Sequence, residues 1–459
     1  MNDELKIKNN ELGGKMNYRY RNDEEMKDSG VEWIGKIPKE WSISRISKEF
    51  IIRNEKVSDK DFAPLSVTKQ GILPQLDSVA KSDNGDNRKR VCVGDFVINS
   101  RADRKGSCGT SSYDGSVSLI CNVLTPNYLD SQYIHSLFRN YYFSEEFYRW
   151  GSGIVDDLWS TNIEKMKKIN IPKPNKNEDK KIAKFLDKKI AQFDFIISKK
   201  EALIEKLEEA KKSLISEVVT GKVKVVKTND GYELVERKKE EMKDSGVEWL
   251  GDIPKEWIRK KLKYNCYIKG RIGWQGLKQS EFIDEGPYLI TGMNFKNGVI
   301  NWSEVYHISE ERYQEAPEIH LKLGDVLITK DGTIGKLLFI DYLPGKASLN
   351  SHLLVMRPLN NDFLPKFLYY SLDASYFKEY VEQVKTGTTF FGITQESISN
   401  FNLLIPSLDE QKIVIEYLDE RLKILNEIIY KVKYEITKIK EAKKSLISEA
   451  VTGKIEILD

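Results

Sequence analysis

Two stretches of this chain collect the residue types that bind nucleic acid. In the first half, Arg88, Lys89 and Arg90 precede the expected strand 94–98, and Arg101, Arg104 and Lys105 follow it, on a loop that also holds Gly106 and Gly109. In the second half, KGRIGWQGLK (269–278) sets Arg271, Trp274, Gln275 and Lys278 among three glycines. Lys330, Thr333 and Lys336 lie on a loop at the place of the first half's basic loop, and Asn350, Ser351 and His352 follow a turn. Two kinds of work need different residues. Lys, Arg and small hydroxyls touch phosphates and fix position, while Arg, Gln, Asn or Thr on a loop reaching a groove pair with base edges and specify sequence. Plainer alternatives stand beside this reading. The loop 101–105 also reads as a solvated basic turn, Trp274 as a local packing anchor, and a lone histidine such as His352 is more often a core residue than a reader. The first cluster brackets a strand that recurs in the second half, which favours the functional reading.

Any such surface has to be local. Lys and Arg number 73 against 70 Asp and Glu, a formal net charge of +3 in 459 residues. A chain that bound nucleic acid over its whole surface would be strongly basic. Hydrophobic residues at 40% support packed domains rather than disorder, and the length suggests about three domains. Cys92, Cys108, Cys121 and Cys266 form no CxxC pair, and none lies at zinc-finger spacing from His135, His307, His320 or His352. The expectation is reduced thiols in a cytosolic protein, with no metal site. MNDELKIKNN at the start has no apolar core of a signal peptide, and no apolar run approaches a membrane span. The expected compartment is the cytoplasm.

The elements that position these clusters are written twice. MKDSGVEWIGKIPKEW begins at Met26 and MKDSGVEWLGDIPKEW at Met242, identical at 14 of 16 positions. EAKKSLISEVVTGKV begins at Glu209 and EAKKSLISEAVTGKI at Glu441, identical at 13 of 15. The offsets, 216 and 232 residues, are far beyond a solenoid period and mark a duplicated domain unit. Between the matching ends the sequences differ: NSRADRKGSCGTSSYDGS follows from Asn99, TKDGTIGKLLFIDYLPGK from Thr329. Constant ends around diverged middles imply one scaffold carrying two working surfaces.

The constant ends read as long helices. From 178 to 220 there is no Gly or Pro, and Ile182, Leu186, Ile190, Phe193, Ile197, Ile204, Leu207, Leu214 and Val218 form an amphipathic stripe. The second copy has Val414, Leu418, Leu422, Leu425, Ile429, Val432, Ile436, Ile439, Leu446 and Ala450. Gly221 and Gly453 follow the last turns. Each helix would be roughly 65 Å long, and a single-striped helix of that length needs a mate. The mean step near 3.6 predicts a nearly straight pair. Lys211 and Lys443 fall on the stripes and are expected to snorkel to solvent. A two-fold relation between the units makes the helices antiparallel and brings each globule near the foot of the other's helix. The alternative is a dimerisation coiled coil between chains.

These residues carry a family resemblance. Each unit opens with SGVEW(I/L)GxIPKEW (29–41, 245–257) and passes through G-D-x-(V/L)-I (94–98, 324–328). The second carries TGTTFFGIT (386–394) and LLIPSLDEQKIVIEYLD (403–419); the first carries the degenerate INIPKPNKNEDKKIAKFLD (169–187). From about Met26 onward the chain resembles the specificity subunit of type I restriction–modification enzymes. The resemblance implies two target recognition domains that each read one half of a split, asymmetric site in double-stranded DNA. It implies a helix pair that spaces the halves and docks two methyltransferase subunits, with restriction subunits joining through those. S-adenosylmethionine, ATP and Mg are then expected on partner subunits, with no cofactor on this chain. Thr388 joins the candidate DNA contacts. The first unit departs from the pattern, with GSGIVDDLW from Gly151 in place of TGTTFFGIT and Glu178-Asp179 in place of Glu410-Gln411. The two units need not treat DNA alike there.

The expected fold is α+β: two recognition domains joined by a pair of long antiparallel helices. Strands are expected at 91–100 and 321–329, and short helices within 363–384. The segments are an N-terminal extension (1–25), the first recognition domain (26–174), the first spacer helix (175–222), a linker (223–241), the second recognition domain (242–408) and the second spacer helix (409–459). Residues before Met26 have no clear counterpart, and read as a flexible extension or as lying partly upstream of a start at Met16.

No catalytic constellation stands out. The methyltransferase signature of a Gly-rich loop with Asn/Asp-Pro-Pro-aromatic is absent, and Gly345-Lys346 lacks the rest of a phosphate-binding loop. Glu410-Gln411-Lys412 superficially resembles a nuclease centre but reads as a helix start with solvated charges. Two other classes compete with a binding module: a chain that cleaves or methylates by itself, and a structural coiled-coil protein. The second explains the helices but not the diverged middles.

Overall fold

Two glycines set where the longest elements stop. In the computed structural model, which describes residues 18–75, 85–153, 159–247, 250–272, 276–296, 298–385 and 392–458, the helices are α1 (Glu178–Val219) and α2 (Leu408–Val451). Gly221 has φ 72° and Gly453 φ 73°. After α1, the N–H of Gly221 donates to Val218 O and that of Lys222 to Glu217 O; after α2, Gly453 donates to Ala450 O and Lys454 to Glu449 O. This paired bonding closes the last turns, and the positive φ makes glycine the favoured residue there.

The chain forms two compact units, Met1–Glu201 with Lys433–Asp459, and Ala202–Val432. Each therefore combines the globular part of one repeat with the end of the other repeat's helix. In the first unit, a Cβ added to Gly453 would lie 2.6 Å from Pro38 Cδ and 3.1 Å from Trp41 Cη2. In the second, Gly221 meets Pro254 and Trp257 in the same way. Each tryptophan also holds the start of its own repeat's helix. Trp41 Nε1 donates to Glu178 at 2.7 Å, and Trp257 Nε1 to Glu410 at 3.1 Å. The other carboxylate oxygen takes Arg21 in the first unit and Arg237 in the second. Both indoles are 1% exposed, and burying a ring of that size stabilises by roughly 4–6 kcal/mol. Glu410 is thus a clasp residue and not a solvated charge, while Lys412 remains exposed. Asp179 and Gln411, which differ between the repeats, share one task. Asp179 accepts from Asp130 N, and Gln411 accepts from Leu364 N and donates to Asp362 O.

Within the first unit the helices run antiparallel, with Asp194 bonded to Lys443 and Lys200 to Glu435. In the second, Ile215 and Val218 near the end of α1 share a core with Val414, Leu418 and Leu422 near the start of α2. Ile182, Leu186, Ile197, Leu418, Leu422, Ile429, Ile436 and Leu446 are buried; Ile190, Phe193, Leu207, Leu214, Leu425 and Ile439 are half-buried. The stripe lysines keep half-buried stems and carry their charged heads to exposed pairs across the seam. Lys443 Nζ reaches Asp194 and Lys211 Nζ reaches Asn426, both at 2.6 Å. An ammonium beside an apolar seam finds a fixed partner on the facing helix.

Each globule is built on the same four-stranded antiparallel sheet. Its order is Cys108–Thr110, Phe96–Asn99, Cys121–Pro126, Phe50–Ile52 in the first unit. In the second it is Leu337–Phe339, Val326–Thr329, Leu353–Pro358, Cys266–Gly270. The expected strand 91–100 is in fact two, Arg88–Val91 and Phe96–Asn99, and the expected strand 321–329 begins only at Val326. The cause is a turn at Gly94 (φ 89°) and Gly324 (φ 86°), closed when Asp95 accepts from Cys92 N and Asp325 from Lys322 N. Both aspartates are buried and need a cation. Arg53, after the strand Phe50–Ile52, supplies it at 2.7 Å, whereas Arg357, within Leu353–Pro358, supplies it at 2.6 Å. A buried charge tolerates a change in which strand pairs it but not loss of the pairing.

The described strand ahead of Met26, Tyr18–Tyr20, does have a counterpart. Tyr18–Tyr20 pairs antiparallel with Ile455–Ile457 after α2, as Gly231–Glu236 pairs with Val223–Thr228 after α1.

The clasp predicts that Gly453→Ala and Gly221→Ala each destabilise by more than about 1 kcal/mol, through positive φ and the clash with Pro38 or Pro254. Urea denaturation of each variant checks this, and unchanged midpoints would contradict the clasp.

Candidate nucleic-acid interface

The end of the central strand is framed identically in the two units. In the first, Ser100 N donates to Ile120 O, Thr161 N to Ser100 O, and Asn99 N to Ser107 O. In the second, Lys330 N donates to His352 O, Ile393 N to Lys330 O, and Thr329 N to Lys336 O. The next residue pairs with the same neighbouring segment in each: Arg101 with Ser160, and Asp331 with Gly392. Three chain segments thus meet at each frame, and the diverged loops leave from it.

In the first unit the frame carries Arg101 and Arg104, both exposed, and the half-exposed Lys105. Arg104 lies 3.4 Å from Asp103, and Lys105 pairs with Glu145 at 2.7 Å. Arg101 has no side-chain partner among the described residues. The triplet ahead of the strand is different. Arg88 is 7% exposed, with its Nε donating to Ser116 Oγ at 2.9 Å and Nη2 to Ser116 O at 3.1 Å. Lys89 Nζ donates to Cys121 O at 2.8 Å. Arg90 pairs with Glu55 at 3.0 Å and lies over the Phe62 ring. Burial pushes Arg88 and Lys89 below their ordinary pKa values. Arg88 therefore braces the sheet from a buried position, while Lys89 is half-buried on a backbone acceptor.

Arg271 in the second unit repeats this correction. It is 3% exposed and donates to Leu349 O at 3.0 Å and Ser348 Oγ at 3.1 Å. Ser116 and Ser348 are both fully buried, each on an edge strand of a three-stranded sheet, so each unit commits an arginine to the same kind of strand. The other candidates of the second unit assemble at the frame. Lys330 is half-buried, Thr333 and Lys336 are exposed, and Asn350 caps the turn by accepting from His352 N at 3.1 Å. His352 is no core residue: its side chain is 62% exposed and its Nδ1 lies 2.5 Å from Asp331 Oδ1. Lys278 is exposed beside Glu281. Trp274, Gln275 and Thr388 lie outside the described residues.

Sequence reasoning missed Asp331, because a search for cations passes over an acid. It also missed Lys69 and Gln70, the exposed two-residue turn between the strands Leu65–Thr68 and Gly71–Pro74. A short polar turn ending in Gly between alternating apolar residues is a hairpin signal that could have found it. Arg139 fixes that turn, donating to Lys69 O at 2.6 Å and Cys108 O at 2.7 Å. Nearby, His135 Nδ1 accepts from Thr110 N, and burial pushes its pKa down to about 4.

Among the described residues no group of three or more His, Cys, Asp or Glu is placed to hold a metal ion. Burial pushes the Cys108 thiol up to about 11 and those of Cys121 and Cys266 to about 12, far from the thiolate a nucleophile needs. No helix among these residues is long and apolar enough to cross a membrane.

The family model described as the type I restriction modification DNA specificity domain matches the chain twice, at residues 45–206 and 254–438. A putative type I restriction enzyme MjaX specificity subunit of Methanocaldococcus jannaschii is 24% identical over 452 residues, covering 92% of this chain and 96% of that protein. The type I restriction enzyme MjaVIII specificity subunit of the same organism is 28% identical over 269 residues, 58% of each. A solved chain described under complex assembly and conformational transition of the type I R-M system aligns with a TM-score of 0.68, at 16% identity, over 91% of this chain and 99% of its own. That likeness is one of fold.

The bracing role predicts that Arg88→Ala and Arg271→Ala each lose about 1–3 kcal/mol of stability, because buried acceptors on Ser116 and Leu349 go unpaired. Arg101→Ala is expected to stay within about 0.5 kcal/mol of the parent. Thermal melts separate the two classes, and an unaltered Arg88→Ala melt would return that residue to the surface candidates.

Proposed function

The chain belongs to the type I restriction–modification DNA specificity family, and on that premise we propose that it reads a split, asymmetric site in double-stranded DNA, one half with each globule. The observation that carries this is the frame at the end of the central strand. The same backbone bonds are built twice, and the side chains leaving them differ. One scaffold holding two unlike sets of polar side chains suits two unlike half-sites. The recognition domains are taken as 26–174 and 242–408, with the spacer helices at 175–222 and 409–459, the linker at 223–241 and the extension at 1–25.

The helix pair, on this reading, sets the gap between half-sites and docks two methyltransferase subunits, through which restriction subunits join. A 42-residue helix is about 63 Å long and caps any gap it sets at roughly 19 base pairs. The chain contributes recognition and no chemistry. S-adenosylmethionine, ATP and Mg act on the partner subunits, and the complex works on DNA in the cytoplasm. A net charge of only +3 fits such a division, because partners add phosphate contacts and two weak half-site contacts on one body gain through effective concentration.

The test is to express the chain with its methyltransferase partner in methylation-free cells and map methylated adenines. The expected result is a two-part motif with a fixed gap, lost when this chain is omitted. A continuous motif, or methylation indifferent to the chain, would overturn the reading.

A further inference from the structure

We propose that Arg101 and Asp331, which occupy the same position in the two frames, each determine one base of their own half-site: Arg101 a guanine, and Asp331 a base offering an exocyclic amino group, cytosine or adenine. The inference rests on the split-site reading above.

Position comes first. Both residues follow one whose N–H and C=O are tied to neighbouring segments, through Ile120 and Thr161 in the first unit and His352 and Ile393 in the second. Both then bridge to the adjacent segment, at Ser160 and Gly392. The backbone of each is therefore fixed where three diverged segments meet, as a side chain that discriminates between bases requires.

Charge comes second, and it is inverted. Arg53 and Arg90 are committed to Asp95 and Glu55, and Arg88 and Arg139 to backbone or hydroxyl acceptors. Arg101 is exposed and has no ion pair among the described residues. A planar fork with free donors matches the O6 and N7 acceptors of guanine. Asp331 cannot be a phosphate contact, because a carboxylate is repelled by the DNA backbone. Its side chain is 39% exposed, with Oδ1 held by His352 Nδ1 at 2.5 Å. Oδ2 has no partner among the described residues. A carboxylate is an acceptor only, and the acceptor-seeking groups in the major groove are the amino groups of cytosine and adenine. His352, its own backbone N–H held by Asn350, is the positioning residue for Asp331.

The test maps methylation by the assembled complex carrying Arg101→Ala, Arg101→Gln, Asp331→Ala or Asp331→Asn, with melting midpoints measured alongside. Arg101→Ala and Arg101→Gln are expected to relax a guanine at one position of one half-site, with discrimination falling about 10–100-fold. Asp331→Ala is expected to relax one position of the other half-site. Asp331→Asn keeps the shape, adds a donor, and is expected to move the preference at that same position. A uniform loss of methylation at all sequences would make Arg101 a phosphate contact. A uniform gain with Asp331→Ala would make that residue merely repulsive. Either result, or an unchanged motif, overturns the inference while a split parental motif leaves the wider reading standing. A continuous parental motif would instead remove that reading itself.

Discussion

Trp41 and Trp257 are each held by two helix ends at once. The indole N–H of Trp41 bonds the glutamate that begins its own repeat's helix, and its ring lies against the glycine that ends the other repeat's helix. Trp257 does the same with Glu410 and Gly221. The repeated IPKEW and TGK sequences are the two sides of this clasp. It explains why the ends of the repeats are nearly invariant within one chain while their middles are not. Any change to Pro38, Trp41 or Gly453 has to satisfy a surface from the other half of the polypeptide.

Upon that clasp the chain builds the same sheet twice and lets everything at its rim change. The buried Asp95 and Asp325 keep their turn and their cation, though the arginine comes from different strands. Asp179 and Gln411 both tether the helix start to the segment ahead of the short helices. The frame around Ser100 and Lys330 has the same bonds in both units. The segments that leave this scaffold differ between the units, and on the proposed reading recognition changes there while the shared sheet is kept.

Much of the scaffold was readable from residue order, because its signals are local. The stripes from Ile182 and Val414, the stop glycine that closes each, and every copy of the duplicated motifs are each written in one contiguous run of sequence. The two-fold argument placed each globule by the other repeat's helix end, as the units show. What could not be read were partners distant in the chain. Arg88 reads as surface charge until Ser116, 28 residues on, is seen to hold it. Lys211 and Lys443 snorkel as expected, but their partners Asn426 and Asp194 on the facing helix could not be named from the sequence. For His352 the sequence leaves a reader and a core residue both open, until its exposed side chain is seen beside Asp331. Composition counts a basic residue the same whether it braces a sheet or faces a ligand, so the basic clusters mixed both kinds. The frame itself, made of backbone bonds, leaves no mark on side-chain identity.

The clasp is tested most directly by dividing the chain in the turn between Asn229 and Asp230, where Val223–Thr228 and Gly231–Glu236 are joined. Residues 1–229 contain Trp41 but not Gly453, and residues 230–459 contain Trp257 but not Gly221. The masses and melting midpoints of each fragment, alone and coexpressed, are the quantities to measure. The account predicts a stable one-to-one complex melting near the intact chain, with no stable monomer of either fragment alone. A monomeric 1–229 fragment melting as the intact chain does would contradict it.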